Sequence, residues 1–169
     1  ESRVVGAVMQ NTGSSTFADL VKGMGDGFEG SGLQLLLANT EYSQEREERA
    51  VRAFMGWHPS VLILTRDDHT PESEALLRAA RCPIVETWGV VPGRPFHQVG
   101  FPHADIGKEL ARHFLEQGAR RIRFALRQAP QDFRAQQRAL GYAQAMAAAG
   151  LASDVQASSC DDELDAGAQ

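Results

Sequence analysis

Val4-Val5-Gly6-Ala7-Val8-Met9 is followed at once by the turn-forming run Asn11-Thr12-Gly13-Ser14-Ser15, and then by Phe17, Leu20, Val21, Met24 and Phe28. The first six residues are apolar and partly β-branched, which predicts a strand. The five that follow the turn recur at helical spacing and give one apolar face, and Gly30 and Gly32 stop the helix. A strand with no polar alternation must be covered on both faces. Parallel sheets flanked by helices meet that need, so this strand, loop and helix set the fold class.

The same unit repeats outward. Residues 33–38 form a second buried strand, and 43–56 a charged amphipathic helix with Ala50, Val51, Phe54 and Met55 inward. Residues 61–64 are a third strand, Thr70-Pro71-Glu72 starts a helix that runs to Ala80, and 83–86 are a fourth strand. The Gly- and Pro-rich stretch 88–95 carries no period and reads as a loop before a short strand at 98–101. Then the pattern restarts, with a helix at 105–117 (Ile106, Leu110, Phe114 and Leu115 as its stripe), a strand at 122–126 and a helix from Asp132 to Ala149. Past Leu151 the signal fades to a weak strand at 155–157 and an acidic tail. The expectation is an α/β protein of two lobes, each a parallel sheet flanked by helices, at 1–100 and 101–169, the second incomplete.

Composition narrows the function. A 169-residue chain with 43% hydrophobic residues can build a packed core. Its net charge of -5 and its lack of a Lys/Arg block argue against gripping nucleic acid by itself. Cys82 and Cys160 lack metal or redox spacing, so two free thiols and a cytoplasmic setting are expected. No stretch has the apolar length of a membrane span, and no signal peptide opens the chain. It begins at Glu1 and not Met, so an upstream segment is expected to have been removed.

Motif chemistry points to binding. Gly23-Met24-Gly25-Asp26-Gly27 lies inside an amphipathic helix, where a dinucleotide fingerprint has no place. There is no phosphate-binding Walker sequence and no nucleophile elbow. His58, His69, His97, His103 and His113 are scattered without metal spacing and are expected on the surface or in loops. No cofactor, metal or catalysis is expected. In open α/β sheets ligands bind beyond the carboxyl ends of the strands, which selects Asn11, Ser14, Thr16 and Phe17, then Arg66, Asp67 and Trp88. The second lobe adds Asp105, Arg127, Asp132, Arg134 and Arg138. Arg134 and Arg138 lie one helical turn apart behind the N-cap type Asp132, near the positive end of the helix dipole. They form either an anion site or an exposed basic face, and Phe17 is either a ligand contact or the first core residue of its helix.

Val5-Gly6-Ala7-Val8, Val61-Leu62-Ile63-Leu64-Thr65, Cys82-Pro83-Ile84-Val85-Glu86 and Val99-Gly100-Phe101 resemble, in that order, the effector-binding domain of the lactose-repressor (LacI/GalR) family of transcription regulators. Glu116-Gln117-Gly118-Ala119-Arg120-Arg121-Ile122 and Arg138-Ala139-Leu140-Gly141-Tyr142-Ala143-Gln144-Ala145-Met146 continue the resemblance to Leu151. Leu64-Thr65-Arg66-Asp67-Asp68-His69-Thr70-Pro71 is most similar to the gluconate-operon repressor branch.

The resemblance implies two type I periplasmic-binding-protein-like lobes that close over a small effector, a sugar, sugar acid or sugar phosphate. It also implies a homodimer that binds operator DNA through an N-terminal helix-turn-helix domain not contained in these residues. Thr16 and Phe17 match first-lobe contacts, Trp88 a residue beside the hinge, and Asp105, Arg134 and Arg138 second-lobe contacts. Two arginines suit a carboxylate or phosphate, which guanidinium pairs bidentately. The chain departs from the family at Pro102-His103, where Asp-Asn is usual, and about a third of the expected effector domain is missing. A periplasmic sugar-binding protein of a transporter shares the fold and is the alternative reading. A sugar-modifying enzyme would need a catalytic constellation that these residues lack.

Overall fold

The computed structural model describes residues 2–13, 15–127 and 132–158, with the backbone alone at Arg127 and Ser158. It divides into two compact units, Glu1–Phe101 and Pro102–Gln169.

The first unit alternates β1 (Val4–Met9), α1 (Ser15–Phe28), β2 (Gln34–Asn39), α2 (Gln44–Gly56), β3 (Val61–Leu64), α3 (Pro71–Arg78), β4 (Ile84–Gly89) and β5 (His97–Phe101). The strands form one sheet in the order β2-β1-β3-β4-β5, every pair parallel. Side chains alternate across it. Val8, Leu62 and Leu64 join Val51, Phe54, Leu77 and Ile84 in one core under α2 and α3. Val5, Ala7, Met9 and Ile63 join Phe17 in a second core under α1. Two covered faces explain the unbroken apolar strands, and each fully buried Val or Leu contributes about 1.5–3 kcal/mol. Caps fix the helix starts: the Ser43 hydroxyl accepts from the Arg46 amide at 3.2 Å, and Thr70 accepts from Ser73 at 3.1 Å with Pro71 at the first helical position.

The second unit contains α4 (His103–Glu116), β6 (Arg123–Arg127), α5 (Phe133–Ala148) and β7 (Asp154–Ser158), with β6 and β7 parallel. Tyr142 ties it together: its hydroxyl donates to the Ile122 carbonyl at 2.6 Å and accepts from the Asp154 amide at 2.9 Å.

Three expectations need correction. Trp88 and Gly89 are strand, because β4 continues its ladder against Gly100 and Phe101 of β5. α4 starts at His103 with Pro102 in the cap position, so Asp105 sits within its first turn. Its buried side chains are His103 and Ala111, with Gly107 between, whereas Leu110 and Phe114 of the predicted stripe are 52% and 50% exposed. The reason is backbone proximity: a Cβ on Gly107 would overlap the Arg138 carbonyl oxygen, and one on Gly141 that of Ala104. α4 and α5 therefore pack through their smallest residues.

Candidate functional site

At the carboxyl end of β1, the Asn11 side-chain oxygen accepts from the Gly13 amide at 2.8 Å, closing a tight turn before α1. Thr16 is exposed in the first turn of α1, and Ser14 lies outside the described residues. Phe17 is 8% exposed and belongs to the α1 core, yet its ring also meets Trp88, with centroids 5.6 Å apart and planes at 53°. Trp88, next to last in β4, lies in the left-handed region at φ 74°, a conformation a bulky side chain adopts only when its surroundings enforce it. Phe17 on one side and Phe101, at 6.4 Å, on the other supply that enforcement. The half-buried indole is thus locked in place.

Arg66 follows β3 as the strand pattern requires, but it is 3% exposed and faces inward. Its Nε and Nη2 each donate to an Asp68 carboxylate oxygen at 2.7 Å, and Nη1 donates to the Tyr42 carbonyl at 3.0 Å. Glu47 lies 3.9 Å away. Arg66, one of the loop candidates, therefore holds this unit's own carboxylate.

His69 lies in a loop, as one of the two expectations for the histidines had it, but not on the surface. Its side chain has no exposed area and bridges two buried carboxylates, Glu47 at 2.6 Å from Nδ1 and Glu86 at 3.2 Å from Nε2. Burial disfavours the imidazolium, but hydrogen bonds to Glu47 and Glu86 outweigh it and raise the pKa to about 9. Burial likewise opposes the charge of Glu86, whose carboxyl is nonetheless held below its ordinary range by His69, Arg94 and Gln98. Arg94 also donates to Glu74 at 2.9 Å, so the chain of charges joins α2, α3, β4 and the segment before β5. No sequence period marks Glu47 as inward, since it lies in the charged face of the predicted helix. Its partners His69 and Arg66, both remote in sequence, explain its burial.

In the second unit Asp132 caps α5, accepting from the Ala135 amide at 3.1 Å. Arg134 is 8% exposed with its guanidinium 4.8 Å from the Phe133 ring centroid, which removes it from any solvated basic face. Arg138 is half-buried one turn along, and its Nη1 lies 3.0 Å from Nδ1 of His103. His103, 4% exposed at the start of α4, is the second correction to the surface histidines. Asp105 is exposed in that same first turn, and the side chain of Arg127 lies outside the described residues. The structure thus gathers Arg138 and His103 where α4 and α5 cross, with Arg134 on the first turn of α5.

Among the described residues no group of three His, Cys, Asp or Glu side chains could hold a metal ion. A cavity of about 830 Å3 opens at the other end of the five-stranded sheet, lined by residues preceding its strands such as Arg3, Leu33, Pro59 and Cys82. None of the candidate residues lines it. The carboxyl ends of the strands remain the site that the fold itself selects.

An all-parallel sheet in this order, covered on both faces and followed by a second α/β unit, defines the periplasmic-binding-protein-like class. The chain belongs to the family of periplasmic binding proteins and sugar binding domains of the LacI family, which it matches over residues 2–169. It is 28% identical over 150 residues to the HTH-type transcriptional regulator GntR of Escherichia coli K12, covering 89% of this chain and 45% of that protein. A LacI family transcriptional regulator from Silicibacter pomeroyi superposes with a TM-score of 0.87 at 31% identity, over 97% of this chain and 62% of that one. Transcription regulator GntR from Chromobacterium violaceum gives 0.76 at 27% identity, over 92% and 58%. The chain spans about half the length of the curated relatives it matches.

Proposed function

We propose that these residues are the effector-sensing part of a lactose-repressor-family transcription regulator whose effector is a sugar acid or sugar phosphate, gluconate being the leading candidate. The whole protein is then a cytoplasmic homodimer without enzyme activity that binds operator DNA through a helix-turn-helix domain outside these residues. The relatives named above are all transcriptional regulators, which favours this reading over the transporter one. In domain terms, residues 1–100 supply the first lobe and 101–169 part of the second.

The observation that carries the ligand class is Arg138. It is a half-buried cation, with one N–H directed at His103 beside the positive N-terminal end of α4, and Arg134 lies on the same helix. An anion is the natural complement, and a guanidinium fork fits a carboxylate better than a neutral hydroxyl. Asp105, exposed in the first turn of α4, supplies an acceptor for sugar hydroxyls. Within the first unit, Trp88 offers an apolar face for a carbon skeleton, and Thr16 and Asn11 are its candidate hydrogen-bonding groups. Arg66 and Asp132, engaged with Asp68 and with the α5 amides, support the site's framework.

Calorimetric titration of the complete protein with gluconate, related sugar acids, their phosphates and neutral sugars tests this. Acids bind and neutral sugars bind far more weakly. Arg138→Ala weakens acid binding by about 1.5–3 kcal/mol, the scale of a charged hydrogen bond. Binding of neutral sugars alone would refute the anion reading.

A further inference from the structure

We infer that His103 is a positioning residue: as a neutral imidazole it accepts a hydrogen bond from Arg138 and fixes that guanidinium for an anionic ligand. The inference rests on the reading of Arg138 as a ligand contact. It extends that reading to a residue that the sequence treats as an ordinary surface histidine.

The chemistry follows from the inventory of donors. Arginine offers only N–H donors, so the imidazole nitrogen 3.0 Å from Nη1 must accept. An accepting nitrogen carries no proton, and the ring is then uncharged with its hydrogen on the other nitrogen. Turning the ring over does not change this, because whichever nitrogen faces Arg138 has to accept.

Among the described residues, the surroundings agree with the neutral form. His103 is 4% exposed, and burial disfavours the imidazolium. It lies in the first turn of α4, whose free amides carry partial positive charge. On α5, packed against it, the charged groups are Arg134 and Arg138, and the Asp132 carboxylate is turned to the Ala135 amide. On α4 itself Asp105 and Lys108 are both exposed, and Asp105, two residues along, lies on a different side of the helix.

Fixing Arg138 matters because a free arginine side chain loses rotamer entropy when a ligand orders it. A guanidinium already held by His103 loses less, so binding is tighter. Protonating His103 removes the acceptor and sets two cations against each other. Arg138 is then released, and an anion should bind more weakly in acid. A mere extra positive charge near the site would do the opposite and strengthen anion binding.

Two measurements on the complete protein decide it. Imidazole nitrogen NMR, with His103 assigned from the spectrum of His103→Asn, should show a single neutral tautomer at pH 7. An imidazolium at pH 7 would overturn the inference without any ligand being needed. Calorimetry with gluconate, a carboxylate ionised throughout pH 8 to 5, should show affinity falling about tenfold toward acid. His103→Asn keeps an accepting oxygen and should hold wild-type affinity with a flat profile, whereas His103→Leu should bind weakly at every pH. Affinity that rises in acid, or the same slope in His103→Asn, overturns the inference. If Arg138→Ala leaves gluconate binding unchanged, the ligand role of Arg138 fails instead, and the NMR result still stands on its own.

Discussion

A histidine with no exposed side-chain surface ordinarily gives up its charge, since burial penalises the imidazolium. His69 keeps it because Glu47 and Glu86 flank both ring nitrogens. With a folded pKa near 9 against about 6.5 unfolded, the stabilisation is complete below pH 6.5 and disappears as pH rises through 9. Its scale is a few kcal/mol, on the order of 1.4 per pKa unit. Thermal unfolding of the wild type should therefore shift downward between pH 7 and 9.5, while His69→Gln should start lower and change little over that window. Cys82, whose thiol burial pushes up, adds a loss of stability only above its ordinary value of 9.0. A pH-independent melting temperature in the wild type would mean that the imidazolium bridge is not formed. Arg66 teaches the complementary lesson: a residue can occupy the expected place after a strand and still spend its charge on Asp68.

Among the elements, the α4–α5 crossing sets the geometry of the candidate anion site. Gly107 and Gly141 let the two backbones meet, and that approach brings His103 under Arg138. Gly141→Ala should cost about 1–3 kcal/mol or more, because a backbone carbonyl cannot yield as a flexible side chain would. Effector affinity should fall with it, measurable by denaturant unfolding and calorimetry together. Gly25→Ala is the control: nothing lies near a Cβ there, and alanine is the better helix former, so stability should hold or rise by up to about 1 kcal/mol. Asp132→Ala removes the α5 cap and should cost about 1 kcal/mol.

For the whole molecule, the three core clusters among the described residues fall within the two units, two in the first and one in the second. We expect residues 1–101 expressed alone to fold, since five paired strands and two covered faces need nothing from the rest. Both tryptophans, Trp57 and Trp88, report on this unit, so a cooperative fluorescence transition in the fragment would confirm it. A fragment with a disordered backbone by circular dichroism would show that the units fold only together.

The strands, the helices and the parallel class were legible in the chain because buried strands and amphipathic helices impose periods that a linear reading detects. The ordered motifs led to the same family that the whole chain matches. The helix caps Ser43, Thr70 and Asp132 were equally local, since a cap bonds an amide two or three residues away. Pairings across the chain had no such signal. Glu47 with His69 and Glu86, Arg66 with Asp68, and His103 with Arg138 each depend on which elements come into contact. The stripe of α4 misled for the same reason. Apolar spacing marked Leu110 and Phe114, whereas two glycines far apart in sequence decided which face was buried. Sequence periodicity determined the elements, and only the tertiary structure decided which charged side chains meet one another, because those contacts join elements far apart in the chain.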